Sequence, residues 1–109
     1  MKIVNKKEFL QLPEGTLYST YESCGMVKDL SIKHKSLTSD WWYMDLLLCT
    51  DTGGSDEFFD LMLEAENGKQ FAMDYKTVSR DGMYEDKALF LVYDKTDIGR
   101  LIDVLKKLV

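Results

Sequence analysis

The sequence has little of what metal and nucleophile sites require: one histidine, His34, and two cysteines, Cys24 and Cys49, in 109 residues. A zinc site needs several histidine or cysteine ligands at chelating spacing, which this set cannot supply. No serine or cysteine nucleophile signature lies near His34. We therefore predict no metal, no cofactor and no catalytic residue, and we interpret both cysteines as reduced, packed thiols.

Phosphate-binding glycine loops and long apolar runs are also missing. Gly53 and Gly54 precede a predicted helix, but Asp51, Asp56 and Glu57 surround them with negative charge that would repel phosphate. The first residues, MKIVNKKEF, are charged and polar, and no segment approaches the length of a membrane span. We expect a cytoplasmic protein that does not contact membranes.

Basic residues are fewer than acidic ones, 14 against 19, which gives a formal net charge of −5. This balance disfavours direct binding to nucleic acid. The densest acidic group comprises Asp51, Asp56, Glu57, Asp60, Glu64 and Glu66. It is typical of a solvated helix face, and the alternative is a surface that imitates the phosphate charge of nucleic acid.

The length and the 45% apolar content predict a single domain over residues 1–109. Periodicity and turn residues predict helices over 5–12, 56–66 and 95–108. They predict strands over 17–22, 26–33, 41–48, 70–75 and 88–93. We expect an α+β fold, with an antiparallel sheet of about five strands and helices packed mainly on one face.

Side-chain alternation divides the predicted strands into two faces. In strand 41–48 one face carries Trp42, Met44, Leu46 and Leu48, and the other carries Trp41, Tyr43, Asp45 and Leu47. The pattern does not decide which face is buried. In strand 26–33, Asp29, Ser31 and Lys33 are predicted to share the polar face. The last helix is predicted to bury Ile98, Leu101, Ile102, Leu105 and Leu108.

The first candidate binding residues are acids within apolar strands. Asp45 and Asp74 each interrupt such a strand. One interpretation is that both simply point to solvent. The other is a ligand-binding surface, on which Trp41 and Tyr43 offer flat contact area and the two carboxylates accept hydrogen bonds.

The remaining candidates lie in the long connection between the last two predicted strands, where loops are often functional. Arg80, one of only two arginines, lies in the loop Ser-Arg-Asp-Gly, and Tyr84 follows shortly after. Guanidinium geometry suits a bidentate contact with phosphate or carboxylate. The alternative is that Arg80 pairs with Asp81 or another acid.

Five segments carry a resemblance: EFLQLPEGTLYSTYES, DLSIK, SDWWYMDLLL, SRDG and ALFLVYDKTDIGRLIDVL. Together they resemble small, largely uncharacterised accessory proteins of tailed bacteriophages and prophages. Because such genes often accompany genes that blunt host immunity, the resemblance implies an anti-defence role by gene class alone. It supplies no catalytic residues.

The leading hypothesis is a non-catalytic protein that sequesters a nucleotide-derived immune signal. Trp41 or Tyr43 would stack on a base, Arg80 and Lys33 would meet phosphate, and Asp45 or Asp74 would accept from ribose or base. The alternatives are an acidic inhibitor that occupies the nucleic-acid channel of a host defence enzyme, and a small virion or assembly protein. We also expect a homodimer, although no residue requires one.

Overall fold

The computed structural model describes residues 1–82 and 85–109. Its strands are β1 Lys2–Asn5, β2 Leu17–Glu22, β3 Met26–Ser36, β4 Trp41–Asp45, β5 Ser79–Asp81 and β6 Leu89–Tyr93. Its helices are α1 Lys6–Leu10, α2 Ser55–Glu66 and α3 Lys95–Lys106. The described strands form one antiparallel sheet of six in the order β1-β6-β2-β3-β4-β5. The α+β prediction is confirmed.

The first helix is short and begins where the sequence indicates. The side chain of Asn5 accepts a hydrogen bond from the backbone N–H of Glu8 at 2.9 Å, which satisfies one of the free amides of the first turn. The helix follows β1 directly. It therefore delivers Phe9 to the face of the sheet beside β1 and β6, and Leu10 packs against the edge of the same core.

Four aromatic rings from four different elements form the centre of the core. The Phe9 ring stacks on Phe90 of β6 at a centroid distance of 4.0 Å. It meets the rings of Tyr18 on β2 and Trp41 on β4 edge-on, at 4.7 and 5.0 Å. All four side chains are buried. Edge-to-face and stacked pairs at these distances stabilise a core beyond simple area burial, so this cluster ties α1 to three strands.

The sequence analysis missed the short strands β1 and β5 and predicted one strand, 70–75, that is not formed. β1 was not predicted, because a four-residue edge strand with two apolar residues carries almost no periodic signal. The predicted strand 70–75 is irregular over 70–74, although Phe71, Met73 and Tyr75 alternate as in a strand. All three are exposed, so their alternation has no buried face against which it could pack. The strand in this part of the chain is β5.

A bulge reverses the side-chain alternation of β3. Tyr18 pairs with Ser31, and Thr20 pairs with Lys28, so one residue of β2 lies opposite two of β3. Asp29, at the bulge, has a φ of 64°, a left-handed conformation that aspartate tolerates better than most residues. Beyond the bulge, Ser31 and Lys33 are buried, so the prediction that they share an outward polar face with Asp29 is wrong.

The last helix is formed as predicted but is not buried as predicted. Its Asp94 makes a reciprocal capping box with Asp97. The apolar residues Leu101, Ile102, Leu105 and Leu108 are nevertheless exposed. Helical periodicity groups residues on one face but does not say whether a partner covers that face. Within the residues described, no helix has the length and apolar character needed to cross a membrane.

Candidate functional site

A pocket of about 430 Å³ lies between the end of β4, the first turn of α2 and residues 77–80. Three predicted site residues, Tyr43, Asp45 and Arg80, line it. Phe58 and Phe59 of α2 add an aromatic wall, and hydroxyl groups come from Thr50, Thr52, Ser55, Thr77 and Ser79. The structure therefore brings together a guanidinium, a carboxylate, aromatic rings and several neutral donors.

Backbone and side-chain hydrogen bonds hold the floor of the pocket in place. The backbone N–H of Asp74 donates to the carbonyl of Cys49 at 2.8 Å. The hydroxyl of Thr77 donates to the carbonyl of Thr50 at the same distance. Cys49 and Thr50 are buried. The irregular segment before β5 is thus fastened to the segment after β4, which places Ser79 and Arg80 beside Tyr43.

Arg80 pairs with an acid, as the alternative interpretation predicts, and the acid is the buried Asp40, which the sequence analysis did not single out. Its Nε lies 2.5 Å from Oδ2 of Asp40, whose side chain is 3% exposed. The Arg80 side chain remains 54% exposed. A buried carboxylate at one edge of the guanidinium restricts its plane, and Arg80 also lines the pocket. Nothing in the sequence distinguishes Asp40 from the many other acids.

Asp45 has a structural task at the same place. Its Oδ1 accepts the backbone N–H of Leu47 at 2.9 Å, an arrangement that turns the chain and ends β4. The predicted strand over 41–48 therefore stops at Asp45. Asp45 is half-buried and lines the pocket, so one carboxylate both closes the strand and presents acceptor capacity to the cavity.

Tyr43 is a neutral hydrogen-bond donor. Burial raises the pKa of its phenol, and the nearby carboxylates of Asp81 and Asp45 raise it further. The hydroxyl therefore keeps its proton at neutral pH and well above it.

The wall on the α2 side is built by residues near the start of that helix. Phe58 and Phe59 meet edge-on at a centroid distance of 5.9 Å. Gly54 caps the helix without a side-chain hydrogen bond, while the carboxylate of Glu57 accepts the Gly53 N–H at 2.6 Å. Phe58 was predicted only as part of a packed helix face. The sequence analysis did not single out Phe59, because it lies outside the helical spacing of the predicted apolar face.

No family model, curated protein or solved structure matches the chain. Among the residues that the structure describes, no group of three or more histidine, cysteine, aspartate or glutamate side chains is arranged to hold a metal ion. The function proposed below therefore rests on the geometry of the pocket.

Trp41 does not belong to this site. It is fully buried in the aromatic core, and its Nε1 donates to the hydroxyl of Tyr18 at 2.8 Å. The prediction that Trp41 faces a ligand is wrong, because its ring is already enclosed by protein. Asp74 is not among the lining residues and lies 3.5 Å from Nζ of Lys76. Tyr84 lies outside the described residues.

Lys33 is also displaced from the predicted site, since its side chain is buried beneath the sheet. Its Nζ donates to the carbonyls of Leu12 at 2.9 Å and His34 at 3.2 Å. The same atom lies 5.8 Å from the centroid of the Phe9 ring. An ammonium held by carbonyls inside the protein does not meet a ligand phosphate, so the predicted phosphate contact is wrong.

The burial of Lys33 predicts a pH effect. Desolvation lowers the pKa of the Lys33 ammonium, against a smaller opposing effect of Glu14. Below this lowered pKa the folded protein holds a disfavoured charge, and this cost disappears as the pH approaches the ordinary lysine value of about 10.4. The wild type should therefore gain free energy of unfolding relative to Lys33→Met as the pH rises toward that value.

Urea unfolding of both proteins at several pH values measures this difference. The tyrosines, whose raised pKa values act in the opposite direction, are present in both proteins and cancel. Parallel pH profiles would show that burial does not disfavour the charged form of Lys33.

Proposed function

We propose that this is a non-catalytic, phage-type binding protein that acts in the host cytoplasm and antagonises a defence system by sequestering a small nucleotide-derived signal. One observation carries the proposal: Tyr43 and Asp45 of β4 and Arg80 of β5, which is distant from them in sequence, converge on one pocket together with the α2 aromatics. Its volume of about 430 Å³ lies within the range of small-molecule sites.

Each chemical part of a nucleotide has a matching group in the pocket. Phe59 is 62% exposed, and its ring offers a surface for base stacking. Arg80 offers a preoriented guanidinium to phosphate. Asp45 accepts from ribose or base, and the Tyr43 phenol donates. Sequestration requires tight binding with slow release rather than a chemical step, which this set of groups suits.

Native mass spectrometry of the protein purified from bacterial cells, before and after denaturation, tests for a bound small molecule. Isothermal titration with nucleotides, cyclic ones included, then compares Arg80→Lys with Arg100→Lys, and Tyr43→Phe with Tyr21→Phe. Lysine keeps the charge but not the fork geometry, so Arg80→Lys should weaken binding about tenfold or more, while the α3 and β2 controls bind normally.

Two results would contradict the proposal. One is an apo mass together with no nucleotide binding, and the other is equal affinity for the wild type and both pocket variants. Retained binding in Tyr43→Phe alone would limit the phenol to a packing role and leave Arg80 as the recognition residue.

A second candidate function is supported by the outer surface of α2. Its acids, Asp56, Glu57, Asp60, Glu64 and Glu66, are all exposed, and the helix contains no basic residue. Such a surface suits an acidic inhibitor of a host nucleic-acid enzyme. This function would be favoured if the protein captures a host protein, if added salt abolishes the capture, and if the pocket is empty. Salt should abolish it because it screens exposed charges beyond about 8 Å.

A further inference from the structure

The apolar face of α3 has no partner within the described chain. Leu101, Ile102, Leu105 and Leu108 lie on one side of the helix, and Leu105 and Leu108 are 52% and 77% exposed. Single exposed apolar residues are ordinary, but several grouped along the last turns of one helix mark an interaction surface. The bases Arg100, Lys106 and Lys107 border the stripe.

The outer flank of α2 has the complementary character. Phe59 and Leu63, one helical turn apart, are 62% and 59% exposed. Acids flank them, and α2 carries five acidic residues and no basic one. α3 instead carries three basic and two acidic residues between Lys95 and Lys106. Apolar stripes bordered by opposite net charge fit each other, whereas two copies of α2 would repel.

We propose that the α3 stripe binds the α2 flank of a second copy of this chain. Under twofold symmetry each copy contributes one α3 and one α2, so the contact forms twice. A stable interface of standard size covers roughly 800 Å² on each partner, and here each copy would bring both an apolar stripe and an apolar flank to the contact. Phe59 also lines the pocket, so the contact shares one residue with the proposed ligand site, but it requires no bound ligand.

Sedimentation velocity of the full chain over a range of concentrations tests the proposal. The wild type is compared with two variants that place opposite charges at the same position of α3. Leu105→Glu sets an acid against the acidic α2 flank and should weaken dimerisation about tenfold or more, whereas Leu105→Lys should weaken it less. On α2 the order should reverse, with Leu63→Lys the more harmful variant. Met26→Glu, at an exposed position on β3, is the matched control.

The substituted positions are exposed, so the folded state should persist in every variant, and circular dichroism checks this. A monomer at every concentration would overturn the proposal. So would a dimer that Leu105→Glu leaves intact. Equal losses for glutamate and lysine at position 105 would also overturn it, because the partner surface would then not be the acidic helix.

Discussion

Replacement of Trp41 by alanine is expected to lower the free energy of unfolding by about 3 to 5 kcal/mol, which is enough to unfold a marginal domain. The Trp41 ring lies 5.0 Å from Phe9 and 5.4 Å from Phe90, both centroid to centroid. Truncation would leave a large cavity among these rings. It would also remove the indole donor from the buried Tyr18 hydroxyl.

The neighbouring tryptophan provides the matched control. Trp42 points to the opposite face of β4 and is 36% exposed, so Trp42→Ala should cost clearly less than Trp41→Ala, about 1 to 2 kcal/mol. Denaturant unfolding followed by fluorescence measures both variants, since each retains the other tryptophan. Equal losses in the two variants would contradict the assignment of faces in β4, and a larger loss for Trp42 would reverse it.

Replacement of Arg80 by alanine is expected to affect stability and binding together. The Asp40 carboxylate would stay buried without its guanidinium, which we expect to cost about 1 to 3 kcal/mol, less than a fully buried pair because Arg80 is half exposed. The pocket would also lose its cation. Chemical denaturation and nucleotide titration of the same sample measure the two effects, with Arg100→Ala as the control.

A double-mutant cycle separates the two roles. Asp40→Asn removes the buried charge, so Arg80→Ala should cost less stability in that background than in the wild type. Nucleotide affinity should remain low in the double variant, because the guanidinium is still absent. Strictly additive stability changes would show that the contact at Asp40 does not stabilise the fold.

Much of the fold follows from local patterns. The bounds of β2 and the C-terminal end of α2 are as predicted, because turn residues border both elements. β6 lies within the sheet between β1 and β2, as its continuous apolar run indicates. The alternation of side chains could not predict that Trp41 rather than Trp42 is buried, since both faces of the predicted strand carry apolar residues. The burial of Lys33 was predicted wrongly because residue types do not reveal a bulge, and the bulge changes which residues of β3 face the core.

The candidate site was predictable only in part. Tyr43, Asp45 and Arg80 stood out because each is unusual in its local sequence, and the fold places all three in one pocket. Asp40 and Phe59 matter through their position, which depends on how the loop after β3 and the first turn of α2 approach the sheet. These are features of tertiary packing, which the periodicity of the sequence and the propensities of its residues do not predict.

The bulge at Asp29 also constrains how the hairpin of β2 and β3 assembles. Only a pairing that sets Ser19 against the bulge allows its hydroxyl to donate to the Asp29 carbonyl, at 2.6 Å, while bonding the Tyr93 hydroxyl of β6 at 2.9 Å. Sliding β3 against β2 by two residues would break the bond to Asp29, and sliding β2 against β6 would break the bond to Tyr93. The outer half of this ribbon is largely exposed and has no buried face to set its register, so these two bonds favour one alignment of the hairpin.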